Sequence, residues 1–210
     1  MRQAAYATIW LANVDGLPGD LVPVWAAALT PGEQQRYRAF VREQRQRQFV
    51  VGRMMLRRAV ALAADIPLDA IQIEEQLGKA PVITLGVRAR TPSFSISHSG
   101  PWVAVAVSME SAVGLDVEVP DPQRDIAALA AKAFGAVEAS RLMALPELER
   151  AARFYEAWCR AEARFKLGQE SATCYPVEHD QVAIALCAAR ALAEPPALRI
   201  VDSLPEFVTG

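Results

Sequence analysis

The amino-acid sequence predicts an α+β fold built as two halves. Predicted elements follow the order strand, helices, strands, and the same order then repeats along the chain. The two series meet near residues 109–113, where no proline- or serine-rich linker occurs, so we expect the halves to pack as one unit. With 210 residues, of which 52% are hydrophobic, the chain is long enough for a substantial core. We therefore predict an N-terminal half over residues 1–110 and a C-terminal half over residues 111–210.

The first half carries a helix-start signal. Thr30 can serve as the N-cap, Pro31 suits the first helical position, and Glu33 supplies the acid of a capping box. Pro67 lies beyond the end of the helical region, because proline cannot continue a helix. The elements predicted for this half are a strand over 6–14, a helical region over 31–64 broken near residue 43, short strands over 71–74 and 81–85, and strands over 93–98 and 102–109.

The second half has clear boundary residues for its first strand and its longest helix. Pro120 ends the strand, and Pro146 opens the helix, which has acids in its first turn, where they suit the helix dipole. Gly168 is a C-cap signal for the same helix. The elements predicted for this half are a strand over 113–119, helices over 126–134, 137–145 and 146–168, and strands over 182–188 and 198–202.

Positive charge is concentrated in one region of a chain whose net charge is only −2. The low net charge gives no reason to expect nucleic-acid binding. The arginines between Glu33 and Arg58 indicate either a site for an anionic ligand or partner, or a helix with a solvated arginine face. They are Arg36, Arg38, Arg42, Arg45, Arg47, Arg53, Arg57 and Arg58.

The cysteines and the first residues bear on the compartment. Cys159, Cys174 and Cys187 are odd in number and widely spaced, so we expect neither a zinc site nor a disulfide framework. The apolar stretch over 4–13 has only Arg2 as a nearby basic residue and no clear cleavage site, and we interpret it as a strand rather than a signal peptide. No segment is apolar for long enough to span a membrane. We expect a soluble, cytoplasmic, monomeric protein with no membrane partner.

Two carboxylates lie on the predicted strand over 113–119. Because side chains alternate along a strand, Asp116 and Glu118 point one way and the apolar residues between them point the other. Two adjacent acids repel unless a cation lies between them, and a divalent cation with oxygen ligands is the obvious candidate. For this pair alone, the solvated acidic face of a one-sided sheet is the commoner alternative.

A third carboxylate, Glu162, falls on the apolar stripe of the helix opened by Pro146. A carboxylate on a core-facing stripe is costly unless it is paired or bound to a metal. Lys166 lies four residues later, so a simple Glu162–Lys166 ion pair is the commoner explanation, and a metal–phosphate site is the other. The stripe consists of Leu148, Ala151, Ala152, Tyr155, Trp158, Cys159 and Phe165.

The segment from Phe94 to Gly100 is a strand that ends in a hydroxyl-rich turn. Its serines and His98 can surround a phosphate, although an ordinary strand-to-turn transition is the commoner explanation for this segment in isolation. The chain has no Gly-x-Ser-x-Gly elbow, P-loop or Gly-x-Gly-x-x-Gly motif, which argues against a serine hydrolase of the α/β type and against the common nucleotide-binding loops.

Taken together and in this order, the segments resemble the Sfp-type 4′-phosphopantetheinyl transferases. The resemblance spans residues 29–168 and rests on short motifs whose order is more specific than any one of them. The motifs are Gly52-Arg53-Met54-Met55-Leu56-Arg57, Gly78-Lys79-Ala80-Pro81, Phe94 to Ser99, Gly114-Leu115-Asp116-Val117-Glu118, Phe134 with Glu138, and Trp158 to Lys166.

The resemblance implies a fold and an activity. The family has two similar α+β halves related by a pseudo-twofold axis, with the active site between them. Its members move the phosphopantetheine arm of coenzyme A onto a serine of an apo acyl or peptidyl carrier protein and release 3′,5′-ADP. Whether the carrier belongs to fatty-acid, polyketide or nonribosomal peptide assembly stays open.

The resemblance also implies which residues hold the metal and carry the reaction. Asp116, Glu118 and Glu162 are implied to hold Mg²⁺, with Mn²⁺ as an alternative. Either Glu162 or a water on the metal is implied to take the proton of the acceptor serine. Lys166 is implied to neutralise the departing pyrophosphate.

Further residues are implied to bind the nucleotide end of coenzyme A. Ser97 and His98 correspond to contacts of the 3′-phosphate region, and Arg53 and Lys79 to further phosphate or nucleotide contacts. Lys79 and Lys166 are two of the three lysines in the chain, the third being Lys132, which gives this assignment weak independent support.

The chain departs from the family pattern within the last motif. Ala161 stands where the family has its first lysine, and Cys159 where it usually has threonine. The missing lysine raises the alternative of a family member that binds coenzyme A or a carrier protein with little turnover. A separate alternative is another metal-dependent nucleotide enzyme on the same scaffold.

Overall fold

The computed structural model describes residues 3–76 and 78–201, which form the predicted mixed α+β fold. The helices are α1 (Leu21–Ala27), α2 (Pro31–Ala39), α3 (Glu43–Ala64), α4 (Ile126–Phe134), α5 (Ala136–Met143) and α6 (Glu147–Leu167). The strands are β1 (Thr8–Asn13), β2 (Ile71–Glu74), β3 (Val82–Leu85), β4 (Ser93–Ser99), β5 (Trp102–Ser108), β6 (Val113–Glu118), β7 (Thr173–Val177), β8 (Ala183–Ala188) and β9 (Ala197–Ile200).

The strands form two sheets and a separate hairpin. The first sheet has the order β4-β5-β1-β9, the second has the order β6-β8-β7, and β2 pairs with β3. These pairs are antiparallel except for β1 with β9, which run parallel. Since β9 comes from beyond residue 110, the C-terminal half contributes one strand to the first sheet. The division into halves at residues 110 and 111 stays a prediction.

The first sheet is buried on both faces because α3 covers one face and the second sheet covers the other. On β1, Trp10 and Ala12 join the core beneath α3, whereas Ile9 and Leu11 join the core shared with β6 and β8. The seven residues of β5 are all buried, as expected for a strand covered on both sides. This arrangement brings the edge strand β4 of the first sheet against β6.

The predicted capping box is present at the start of α2. The Thr30 hydroxyl accepts a hydrogen bond from the Glu33 backbone N–H, and the Glu33 carboxylate accepts one from the Thr30 N–H. The predicted break near residue 43 lies between α2 and α3. At the other end of the chain, Gly168 adopts a positive φ of 72° and ends α6 as its C-cap.

Several expectations differ from the structure. Cys174 and Cys187 face each other on β7 and β8 and form a disulfide, so the expectation of no disulfide is wrong. Leu148, Ala152 and Phe165 are exposed, so they do not belong to the buried face of α6. Helix α1 and strand β7 were not predicted. Part of the last predicted strand, Asp202, lies outside the described residues.

No helix in the described part of the chain combines the length and apolar character needed to cross a membrane.

Gly114 allows α6 to pack closely on β6. A Cβ at this position would overlap the carbonyl oxygen of Ala163 and lie 2.9 Å from the backbone nitrogen of Leu167. Because both atoms belong to the backbone of a helix, they cannot move aside as a flexible side chain would. Glycine is therefore the residue that this helix–strand contact requires.

We expect Gly114→Ala to lower the free energy of unfolding by about 3 kcal/mol, at the upper end of the usual cost of overpacking. Denaturant unfolding followed by circular dichroism measures the effect. Gly19→Ala is the control, because a Cβ there meets no atom within 4 Å. Equal unfolding midpoints for the two variants would contradict the steric explanation.

Candidate active site

The acid pair lies in the C-terminal part of β6, beside β4. Its two side chains are oriented as the strand alternation predicts. Leu115 and Val117 are buried in the core between the sheets. Asp116 points away from that core and is only 5% exposed, and Glu118 is half-buried. Asp116 is thus not part of a solvated face, which was the commoner alternative for the pair.

A ladder of serines joins β4 to the outer edge of β6. The hydroxyl oxygens of Ser93, Ser95, Ser97 and Ser99 accept hydrogen bonds from the backbone N–H groups of Val113, Leu115, Val117 and Val119, at 3.0–3.3 Å. Because β6 pairs with β8 on its other side only, these hydroxyls replace the strand partner that this edge lacks. The ladder holds the acid pair in register with β4.

Two serines of this ladder also contact the acids. The Ser97 hydroxyl donates to Asp116 Oδ1 at 2.9 Å, and the Ser99 hydroxyl donates to Glu118 Oε2 at 2.8 Å. Sequence reasoning placed Ser97 in the site but missed the ladder. The signal that could have revealed it is the serine at every second position from 93 to 99.

Lys166 reaches from α6 to β6 and lies at the centre of the site. Its ammonium Nζ lies 2.8 Å from Asp116 Oδ1, 2.9 Å from Ser97 Oγ and 3.0 Å from the Leu115 carbonyl oxygen. Its ion pair is therefore with an acid fifty residues away in sequence and not with Glu162, which was the commoner explanation of the helix pattern. This contact ties α6 directly to the acid strand.

The three predicted metal-binding acids line one cleft, together with Lys166. Its lining residues are Ile96, Ser97, His98, Asp116, Glu118, Trp158, Glu162 and Lys166. As placed, no three histidine, cysteine or acidic side chains within residues 3–76 and 78–201 converge closely enough to hold a metal. The structure thus brings the predicted ligands to one cleft without assembling them around a common point.

The donor set nevertheless fits a hard divalent cation. Carboxylate oxygens are the ligands that Mg²⁺ and Mn²⁺ prefer. Asp116 Oδ2 is buried and has no hydrogen-bond partner among the described residues, although the other oxygen of the same carboxylate has two. An unpartnered buried carboxylate oxygen is costly, and a bound cation would satisfy it.

Burial and neighbouring charges shift the ionisation of three groups at the site. Burial, with a smaller contribution from Asp116, raises the pKa of Glu118. Burial, with Arg45 and Lys166 nearby, lowers the pKa of His98 to about 4, so the ring is neutral at pH 7. Burial also raises the pKa of the Cys159 thiol, which stays protonated.

A second, basic cleft adjoins the first and shares Ile96, His98 and Lys166 with it. Its volume is about 360 Å³, which is within the range of small-molecule sites. Its lining includes several positive and aromatic side chains. They are Arg36, Arg45, Arg53, Lys79, Lys166, Phe40, Phe49 and Phe94. The predicted nucleotide contacts Arg53, Lys79 and His98 thus meet in one cleft, and Ser97 lies in the adjoining one.

Arg53 lines the basic cleft but is tied to acids of the protein. Its guanidinium lies 2.6 Å from Glu75 Oε1 and 3.5 Å from Glu33 Oε1, and it stacks on the Phe49 ring. Arg36 binds the second oxygen of Glu75 at 2.6 Å. Sequence reasoning missed both acids as partners, because these ion pairs join α2, α3 and the end of β2 across long sequence separations.

Comparison with known families gives two matches that lie end to end. The family model described as "4′-phosphopantetheinyl transferase, N-terminal" matches residues 22–110. The model described as "4′-phosphopantetheinyl transferase superfamily" matches residues 112–190. Together they include β6, α6 and both clefts.

Individual relatives agree with these matches. The 4′-phosphopantetheinyl transferase psf-1 of Bacillus pumilus is 32% identical over 123 residues, which are 58% of this chain and 49% of the relative. The 4′-phosphopantetheinyl transferase AcpT of Salmonella typhi is 34% identical over 123 residues, which are 58% of each chain. The 4′-phosphopantetheinyl transferase HetI of Nostoc sp. is 23% identical over 181 residues, 86% of this chain and 76% of the relative. The chain thus spans between about half and three quarters of the length of these relatives.

Proposed function

Because this chain belongs to the 4′-phosphopantetheinyl transferase superfamily, we propose that it transfers the 4′-phosphopantetheine moiety of coenzyme A to a serine of an apo carrier protein in a Mg²⁺-dependent reaction. The other product is 3′,5′-ADP. One observation carries the proposal: a basic cleft and an acidic cleft meet at His98 and Lys166. Such a pair of sites suits a polyanionic substrate whose pyrophosphate must lie beside a metal.

The acidic cleft is the proposed metal site. Asp116, Glu118 and Glu162 would hold Mg²⁺ or Mn²⁺, and the unpartnered Asp116 Oδ2 supports this assignment. When bound, the cation supplies positive charge to the pyrophosphate oxygens. A cation beside Glu118 would also favour its ionised form, opposing the effect of burial.

The protein's own side chains would carry the remaining steps. A bond forms between the acceptor serine oxygen and the phosphorus of the phosphopantetheine phosphate, and the bond from that phosphorus to the bridging pyrophosphate oxygen breaks. A carboxylate oxygen of Glu162 takes the serine proton, and the Lys166 ammonium offsets the charge left on 3′,5′-ADP. The catalytic set proposed is therefore Asp116, Glu162 and Lys166.

The basic cleft is the proposed site of the nucleotide. Lys79 and His98 line it and are proposed to contact the phosphates or the nucleotide, with Arg53. Since its guanidinium is already paired with Glu75, Arg53 would act mainly by shaping this cleft. The phosphate contact predicted for Ser97 is not carried into this proposal, because its hydroxyl is already engaged by Asp116 and Lys166.

The proposal extends to the partner and the cellular setting of the protein. An acyl or peptidyl carrier protein, in fatty-acid, polyketide or nonribosomal peptide assembly, is the proposed partner. We also propose that the protein is cytoplasmic and monomeric, and that a pseudo-twofold axis relates its two halves.

The direct test combines the protein with coenzyme A, MgCl₂ and several apo carrier proteins, and weighs each carrier by mass spectrometry. We expect a mass gain of one phosphopantetheine on at least one carrier. Chelation with EDTA should abolish the gain, and restoring excess Mg²⁺ or Mn²⁺ should recover it. An unchanged mass on every carrier would refute the proposed activity.

The departure at Ala161 does not favour the alternative of a binding module. Ala161 is exposed on α6, and it is absent from the described lining of either cleft. A lysine missing there leaves the walls of both clefts intact. Calorimetry that shows coenzyme A binding, together with no transfer in the mass assay, would instead support the binding module.

A further inference from the structure

We infer that Ser97 and Ser99 are positioning residues that orient the acid pair of β6 for metal binding. This inference rests on the proposed function, since it concerns the metal site proposed there. The observation behind it is that only these two serines of the ladder contact a carboxylate.

The hydrogen-bonding capacity of Ser97 is fully used within the protein. Its hydroxyl donates its one proton to Asp116 Oδ1 and accepts from the Val117 N–H and from the Lys166 ammonium. A serine hydroxyl has one proton, and here that proton is donated to Asp116 and not to a phosphate oxygen, which would need a donor. Ser97 is also only 5% exposed. Its contacts therefore point to orientation of Asp116 and not to direct contact with a ligand.

The orientation that Ser97 imposes bears on the other oxygen of Asp116. With Oδ1 held by Ser97 and Lys166, the carboxylate plane is fixed and Oδ2 is left unpartnered. Fixing one oxygen in this way leaves the other available as a cation ligand. Hydrogen-bond partners of metal-binding carboxylates commonly contribute to metal affinity by this means.

Ser99 does the same for the second acid. Its hydroxyl donates to Glu118 Oε2 while accepting from the Val119 N–H, so the carboxylate is tied to a backbone-anchored donor. Glu118 is near enough to Asp116 for the two negative charges to repel each other. Ser97 and Ser99 are two residues apart, as are Asp116 and Glu118. Each serine therefore holds one carboxylate on the β4 side of β6.

The ladder itself supplies a matched control. Ser93 accepts a hydrogen bond from the Val113 N–H at 3.1 Å, which is the same kind of contact with β6 that Ser97 makes. It contacts neither acid and is absent from the lining described for both clefts. Ser93→Ala therefore removes a hydrogen bond between β4 and β6 without removing a contact with either acid.

The test measures Mn²⁺ binding to the whole chain without coenzyme A, by calorimetry or by electron paramagnetic resonance. We expect Ser97→Ala and Ser99→Ala each to raise the dissociation constant about tenfold or more, and Ser93→Ala to change it by less than about twofold. Thermal unfolding of each variant is recorded in parallel. If Ser97→Ala does not fold, Ser99→Ala decides the question, because Ser99 is less buried than Ser97.

The outcomes separate this inference from the proposed function. Mn²⁺ affinities that are unchanged, or lowered equally in all three variants, would overturn the positioning role even if the wild-type protein transfers phosphopantetheine. A wild-type protein that neither binds Mn²⁺ nor transfers would overturn both. In Ser97→Ala, the transfer rate relative to the wild type should be higher at saturating Mg²⁺ than at low Mg²⁺. A merely structural role does not predict this difference.

Discussion

Asp116→Ala is expected to lower the rate of phosphopantetheine transfer by on the order of 10³-fold while leaving the protein folded. Asp116 is the most deeply buried of the three acids, and its Oδ2 is buried without a hydrogen-bond partner among the described residues. Removing it takes away both a proposed cation ligand and the counter-ion of Lys166. Because the Lys166 side chain is 31% exposed, its ammonium can turn towards water, so we expect little loss of stability.

Asp116→Asn separates charge from shape. The amide keeps an oxygen that can accept from Ser97, but it removes the negative charge, so we expect a similar loss of transfer if the metal site needs that charge. Mass spectrometry of the carrier at fixed time points measures the rate. Wild-type rates in Asp116→Asn would show that the negative charge of Asp116 is not needed for transfer.

Glu162→Ala should cause a comparable loss, since the same residue is proposed as a metal ligand and as the proton acceptor. The matched control is Glu149→Ala, an exposed acid on the same helix that is absent from the described lining of either cleft. We expect Glu149→Ala to transfer at the wild-type rate. Equal rates in Glu162→Ala and Glu149→Ala would contradict the assignment of Glu162.

Local patterns in the sequence predicted the elements that depend on local chemistry. The capping box at Thr30, the strand alternation at Asp116 and Glu118, and the C-cap at Gly168 are all confirmed, because each depends on residues within a few positions. The family resemblance is confirmed by the matches to residues 22–110 and 112–190.

Elements without such local signals were missed. Helix α1 contains a proline and begins without a capping side chain, and β7 contains Pro176, which is unfavourable inside a strand. Both elements exist because tertiary packing overrides their local preferences. Trp25 of α1, for example, is 2% exposed in the core beneath α3.

The partners of charged side chains could not be predicted for a related reason. The helix spacing of Glu162 and Lys166 predicted a local ion pair, but Lys166 pairs with Asp116 on another element. Helix spacing says which residues share a face and not what lies opposite that face. The close approach of α6 to β6, which Gly114 permits, decides the partner of Lys166.

Lys166→Met is expected to have opposite effects on transfer and on metal affinity. Transfer should fall by on the order of 10²-fold or more, because the charge proposed to offset the leaving 3′,5′-ADP is lost. Without coenzyme A, however, Mn²⁺ should bind more tightly than to the wild-type protein. The Lys166 ammonium lies 2.8 Å from Asp116 Oδ1, so its positive charge competes with a cation for the same carboxylate. Methionine removes that charge and leaves the Ser97 hydrogen bond to Oδ1 in place.

Measured together, the two effects distinguish a charge at the reaction centre from a structural contact of α6. A purely structural role for Lys166 would make transfer and metal affinity fall together, through loss of the α6–β6 contact. Lys132→Met, on the exposed surface of α4, is the matched control and should change neither. Calorimetry with Mn²⁺ and the mass assay on the same preparation give both values. Weaker Mn²⁺ binding in Lys166→Met would show that the ammonium organises the acid site before coenzyme A arrives, and would contradict the competition expected from its position on Asp116.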